Sequence, residues 1–186
     1  MSPGSAASSA SGISVTYTAP VSTADGTTTV TATYKGFTTT STMTYKGITF
    51  TLSPSTATVD ADGQSTAALT LTFRYTNGGA AISGANATVA LTGSGSVSPA
   101  SPASSASTIA VTYTAPASTT DGTATVTASY KGLTAVSSTI SYKGITLTLS
   151  PSSATVDADG QSTSSLTLTA KYTTAARRCR RARRLQ

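Results

Sequence analysis

The chain has 186 residues, among them no histidine, tryptophan or glutamate, and its formal net charge is +6. Without an imidazole, and with aspartates as its only acids, it lacks the pairs from which activated nucleophiles and acid–base machinery are built, so no catalytic residues and no cofactor are expected. The charge marks neither a nucleic-acid face nor a membrane face: Lys35, Lys46, Arg74, Lys131, Lys143 and Lys171 are balanced one for one by Asp25, Asp60, Asp62, Asp121, Asp157 and Asp159, and the excess is six arginines between positions 177 and 184.

The single cysteine, Cys179, lies in the same basic tail, so the body has neither a disulfide nor a thiolate metal site. A secreted domain of ordinary size can build enough core without such staples. No apolar run reaches the ~20 residues that cross a bilayer, and no signal-peptide pattern follows Met1.

Along the chain, short apolar runs alternate with hydroxyl residues and are divided by Gly, Pro, Asp and Ser. Ile13 opens the segment ISVTYTAPVSTADGTTTVTATYKG. Next, Ile48, Phe50 and Leu52 alternate with Thr49 and Thr51. Asp60-Ala61-Asp62-Gly63 follows as a turn, its Asp-Gly pair supplying the bend. Leu69, Leu71, Phe73 and Tyr75 then alternate with Thr70, Thr72 and Arg74, and Ile109, Val111 and Tyr113 repeat the pattern. Ala124, Val126, Ala128 and Tyr130 form another run, bracketed by Asp121-Gly122 and Lys131-Gly132, where glycines of positive φ are expected to close tight turns. A period of two puts the apolar side chains on one sheet face and the hydroxyls on the other, and such a face needs a second sheet to cover it.

The chain also repeats itself. Residues 48–76 return at 145–173, offset by 97 and identical at 23 of 29 positions, and the segment from Ile13 returns from Ile109, offset by 96. One inserted residue before Tyr142 reconciles the offsets. A unit of about 97 residues is far longer than a solenoid repeat and fits a whole immunoglobulin-like domain. The expected division is the C-terminal half of one repeat at 1–47, a complete repeat at 48–144, the N-terminal part of a third at 145–173, and a basic tail at 174–186.

The stretch TATVDADGQSTAALTLTFRYTNGGAAISGANATVAL, followed by VTYTAPASTTDGTATVTASYKG, resembles the bacterial immunoglobulin-like repeats of invasin- and intimin-type surface proteins. The fold expected is thus all-β, a two-sheet β-sandwich of about seven strands in tandem. The resemblance implies a rod-forming domain outside the cell, a non-catalytic spacer in an adhesin-like protein. Its partners would be neighbouring repeats of the same parent protein. Strands of about ten residues at ~3.3 Å each, with their loops, give a repeat roughly 30–40 Å of reach. Burial of the Ile, Val, Leu and Tyr faces would hold each module together, and short Lys-Gly connections would limit bending between modules. The alternative is a module binding a glycan or a host surface protein, which predicts exposed aromatic side chains on the complete repeat.

Three features invite sharper readings. Asp60, Asp62, Asp157 and Asp159 are the only acidic pairs and the weak candidates for calcium, but a calcium loop of the EF-hand kind needs a distal glutamate, so a turn is preferred. Tyr34, Tyr45, Tyr130 and Tyr142, each followed by Lys-Gly, suit either a binding platform or the closing of a sandwich edge with the ring buried. The tail from Thr174 to Gln186 is what a repeat continuing Asn-Gly-Gly-Ala would become after loss of one base. It is therefore expected to be a frameshift product, against the alternative of a functional basic tail. Met1 falls on Val97 of the complete repeat, as a GTG start inside a repeat would place it.

Overall fold

The computed structural model describes residues 12–99, 108–133 and 135–174. The start of the chain and the arginine tail with Cys179 lie outside them, so the frameshift and start-codon expectations stay readings of sequence alone.

Twelve strands account for the regular structure, with no helix among the described residues, and hence none long and apolar enough to cross a membrane. The first two, β1 (Gly26–Tyr34) and β2 (Phe37–Tyr45), form a hairpin. The central eight are β3 (Ile48–Ser53), β4 (Thr56–Asp60), β5 (Thr66–Tyr75), β6 (Thr88–Thr92), β7 (Ser96–Ser98), β8 (Thr108–Thr114), β9 (Gly122–Ser129) and β10 (Val136–Lys143). The last two, β11 (Ile145–Ser150) and β12 (Thr167–Tyr172), pair with each other.

The central eight make two four-stranded sheets, β3-β5-β8-β7 and β4-β10-β9-β6. All their pairings are antiparallel except one: β4 runs parallel to β10, with Val59 opposite Tyr142 and Asp60 opposite Lys143. β3 and β4 are a single edge strand broken at Pro54, which has no N–H to give to a ladder. Its first part joins one sheet and its second part the other. A divided first strand and seven strand positions in two sheets make an immunoglobulin-like sandwich.

The alternation read from sequence is what fills the interior. Leu69, Leu71 and Phe73 on β5, Ile109, Val111 and Tyr113 on β8, and Ala124, Val126 and Ala128 on β9 are buried in one cluster. Phe73 anchors an aromatic trio, stacked on Phe50 at 5.8 Å and edge-on to Tyr130 at 5.0 Å. The buried hydroxyl of Ser138 on β10 donates to the carbonyl of Pro54 at 2.8 Å, tying the broken edge strand to its second sheet.

The two expected glycine turns differ. Lys131 and Gly132 take φ of 44° and 76°, the left-handed pair of a tight turn in the β9–β10 loop that the Leu133 amide closes on the Tyr130 carbonyl at 2.9 Å. Gly122 does not: it begins β9 outside the left-handed region, so the expectation of a positive-φ turn there is corrected. Its missing Cβ leaves room for the ring of Tyr142, which crosses it from β10 and would have to shift for any larger residue. Gly26 and Tyr45 repeat this arrangement in the first hairpin.

Candidate functional site

The residues that stand out lie at the two Lys-Gly connections ahead of β3 and β11, where the chain builds the same junction twice. The first begins with a local turn: Ser22 Oγ accepts the amide of Ala24 at 3.0 Å and donates to its carbonyl at 2.7 Å. Serine supplies such side-chain-to-backbone bonds readily, and here they leave the Ser22 carbonyl free to face outward. That carbonyl accepts the amide of Ile48, the first residue of β3, at 3.0 Å. The Thr23 carbonyl accepts the hydroxyl of Thr76, just beyond β5, at 2.5 Å. Asp25 Oδ1 accepts the amide of Gly47 at 2.7 Å, and the Gly47 carbonyl in turn accepts the amide of Thr76 at 2.9 Å.

The second junction uses the equivalent atoms. Ser118 Oγ accepts from the Thr120 amide at 3.1 Å and donates to its carbonyl at 2.9 Å. The Ser118 carbonyl accepts from Ile145 at 3.0 Å, and that of Gly144 accepts from Thr173 at 2.9 Å. The Thr173 hydroxyl donates to the Thr119 carbonyl. Asp121 Oδ1 accepts from the Gly144 amide at 2.8 Å. Here the aspartate has further donors, the Lys143 ammonium at 2.9 Å and the Thr174 hydroxyl. Hydrogen bonds from Thr174, Lys143 and Gly144 hold its carboxyl at about 2.

Gly47 and Gly144 sit at the centre of each junction, buried. A Cβ on Gly47 would lie 2.6 Å from the carbonyl carbon of Ala24, and one on Gly144 would lie 2.5 Å from that of Thr120. Both clashes are with backbone, which no rotamer change relieves. The Lys-Gly connection is therefore a piece of chain clamped between the turn of one unit and the strand ends of the next. The junction satisfies the connecting backbone and fixes its course.

The other sequence candidates lie elsewhere. Asp62 turns both oxygens onto its own loop: Oδ1 accepts the amides of Gln64 at 2.8 Å and Ser65 at 2.5 Å, and Oδ2 accepts the Ser65 hydroxyl at 2.8 Å. Burial pushes its carboxyl up, but these bonds outweigh it and the net displacement is downward. Asp159 is bound alike by Gln161 and Ser162, led by the Ser162 amide, and its carboxyl is also lowered. Gly63 and Gly160 have φ of 78° and 75°, as the bend requires. Asp60 ends β4 and Asp157 is exposed in its own loop. Among the described residues no group of three acidic, histidine or cysteine side chains converges. The tyrosines divide by position: Tyr130 is buried and Tyr142 and Tyr45 half-buried, while Tyr34 is exposed.

Sequence reasoning singled out the Lys-Gly connections but not Ser22, Thr23, Thr76 and their copies Ser118, Thr119 and Thr173. Their recurrence at the repeat offset was visible, but it could not stand out where most of the repeat recurs.

These sheets and junctions define a class: an immunoglobulin-like β-sandwich module arranged in tandem. No family profile and no curated protein matches the chain. Among solved structures it is similar to domains 4 and 5 of the S-layer protein SbsC, at 23% identity over 63% of this chain and 65% of that one, with a TM-score of 0.41. It is also similar to the D00-D0 domain of intimin, at 20% identity over 62% and 64%, with a TM-score of 0.38. A third is the C-terminal 282-residue fragment of intimin in complex with the intimin-binding domain of the translocated intimin receptor, at 22% identity over 68% and 46%, with a TM-score of 0.43. The chain spans less than two thirds of the length of each.

Proposed function

We propose that this chain is a non-catalytic spacer, part of the stalk of a bacterial cell-surface or secreted adhesin-like protein. In this reading residues 1–47 close one repeat, 48–144 are a complete repeat, and 145–173 open a third. The observation that carries it is the junction built twice from equivalent atoms. A connection that binds the turn before it to the strand ends after it transmits orientation from one sandwich to the next, which is what a stalk requires and a string of free modules does not. Each sandwich resists bending through its buried core, and the junction extends that resistance across the Lys-Gly connection.

An aromatic platform for a glycan or host protein on the complete repeat has less support. Tyr113 and Tyr130 are buried there, and Tyr75 and Tyr142 are half-buried and unavailable as a flat exposed patch. Backbone 15N relaxation of the whole chain tests the spacer reading. A single rotational correlation time shared by the amides of β1–β2 and of the central sandwich is expected. Independent, faster tumbling of β1–β2 would remove the reading.

A further inference from the structure

We infer that Asn77 is a self-modifying site: its side chain condenses with the following peptide bond and hydrolyses to aspartate and isoaspartate, and the new charge loosens the junction at Gly47. The chain has two asparagines, Asn77 and Asn86, both exposed, and only Asn77 is followed by glycine.

The reaction needs the Gly78 nitrogen, stripped of its proton, to reach the side-chain carbonyl carbon of Asn77. A bond forms between that nitrogen and Cγ, and the bond from Cγ to Nδ2 breaks. Nδ2 leaves as ammonia, taking up a proton in place of the one Gly78 gave up. A cyclic imide remains, and water opens it. Cleavage at the former side-chain carbonyl gives aspartate, and cleavage at the backbone carbonyl gives isoaspartate. Water is the only co-reactant.

The turn after β5 leaves both reacting groups free. Across it the Tyr75 amide donates to the Ala80 carbonyl at 2.9 Å, and the Arg74 guanidinium donates to the Gly79 carbonyl at 2.9 Å. The Gly78 amide has no hydrogen-bond partner among the described residues, and the space where its Cβ would stand is open to 4 Å. An amide committed to a ladder is held from such an attack, whereas this one is not. Asn86 differs at the residue that follows it: Ala87 puts a methyl group beside the attacking nitrogen, and that methyl is packed in the core.

The exposure of Asn77 belongs to the junction itself. At the second junction, which the whole central sandwich precedes, the equivalent position is Thr174, and it is exposed as well. The Thr174 hydroxyl donates to Asp121, the counterpart of Asp25. The same geometry sets residue 77 beside Asp25, the carboxylate that holds the Gly47 amide at 2.7 Å.

The two aspartates differ in what balances them. Asp121 has the Lys143 ammonium at 2.9 Å, whereas Lys46 stands 5.3 Å over the ring of Tyr75, and Asp25 has no ion pair among the described residues. A carboxylate at position 77 therefore meets an uncompensated like charge. Isoaspartate also adds a backbone carbon directly after Thr76, whose amide and hydroxyl are bonded to Gly47 and Thr23.

Incubation of the whole chain in mildly alkaline buffer, followed by peptide mapping with mass spectrometry, tests the chemistry. Asn77 should convert an order of magnitude faster than Asn86, releasing ammonia and yielding both products. Asn77→Gln, which closes a less favourable ring, should stay intact. Asn77→Asp supplies one product at once. In it the Gly47 and Ile48 amides should exchange several-fold faster than in the unmodified chain, and high salt should restore them. Gly144 and Ile145, and the amides of β5, β8 and β9, should keep their protection, which verifies that the sandwich is intact. Conversion of Asn77 no faster than that of Asn86 would overturn the site. Equal exchange at Gly47 with and without the charge would overturn its link to the junction.

Discussion

Asp121 takes the amide proton of Gly144 at 2.8 Å across 23 residues of chain, as Asp25 takes that of Gly47 at 2.7 Å across 22. In both, a carboxylate at the end of one loop holds the glycine through which the next unit is entered. The contact makes the junction sensitive to acid. The Asp121 carboxyl is held at about 2 in the folded chain against 3.8 when free, so the charged form favours the junction. That contribution is present above pH 3.8 and is lost as the pH falls through about 2. Amide exchange at Gly144 and Ile145, corrected for its intrinsic pH dependence, should accelerate over this window. Asp121→Asn keeps an oxygen acceptor but no charge and should flatten the profile; an unaltered profile would deny Asp121 this role.

Gly144→Ala should open the same junction without touching any charge. The added Cβ meets backbone at 2.5 Å on the Ser118–Thr120 turn, so the strand entry itself must shift. Overpacking of this kind costs about 1–3 kcal/mol, and each 1.4 kcal/mol is tenfold in an opening equilibrium. Protection of the Ile145 and Thr173 amides should fall about tenfold while that within β5, β8 and β9 is kept. A uniform loss across the sandwich would mean that the glycine serves the fold rather than the junction.

The contrast between these residues shows what a sequence reveals of such a molecule. The period-two runs ending at Tyr75, Tyr113 and Tyr130 give strands, faces and core almost directly, because a side chain on a strand has only two directions to point. The Lys131-Gly132 turn was equally legible, since few residues tolerate positive φ. Gly122 misled because glycine serves two ends, and the ring of Tyr142 that takes the room of its absent Cβ lies on another strand. The junction was half legible: Lys-Gly marked its position, but the partners of Gly144 are carbonyls and an aspartate brought from the far side of a loop, with no local pattern to announce them. Ser138 gave no signal at all, for one serine among many becomes special only through what buries it.

Equivalent positions of the repeated segment 48–76 and 145–173 should respond differently to the same change. Leu71 is fully buried, and Leu71→Ala should cost about 2–5 kcal/mol through lost transfer and a cavity. Leu168, one repeat later, is 47% exposed, and Leu168→Ala in dilute solution should cost no more than about 0.5 kcal/mol. Thermal unfolding of the central sandwich reads the pair: for a domain of this size each kcal/mol moves Tm by about 4–8 °C. Equal shifts would show that residues 145–174 are packed as fully as the centre.

Ser138→Ala should destabilise the central sandwich by about 1–3 kcal/mol despite removing a single oxygen. Its hydroxyl is fully buried and donates to the Pro54 carbonyl, at the break where the edge strand leaves one sheet for the other. Alanine fits the space but strands that carbonyl. Ser138→Cys, which keeps a weak donor, should recover part of the loss. If chemical denaturation found alanine and serine equal, the carbonyl would have another partner and the tie between the sheets would lie elsewhere.

Calcium should have no effect on the folded chain. The Asp62 oxygens already accept two amides and a hydroxyl of their own loop, and a cation would compete with these bonds to gain a single carboxylate. Calcium sites draw six to eight oxygens, several of them charged, from a loop shaped around the ion. Tm measured with excess chelator and with millimolar calcium should therefore coincide, and Asp62→Asn should lower it alike in both. The two explanations of the Asp-x-Asp-Gly motif part here, because a turn is weakened by the substitution whatever the medium, whereas a metal site would be weakened only when calcium is present.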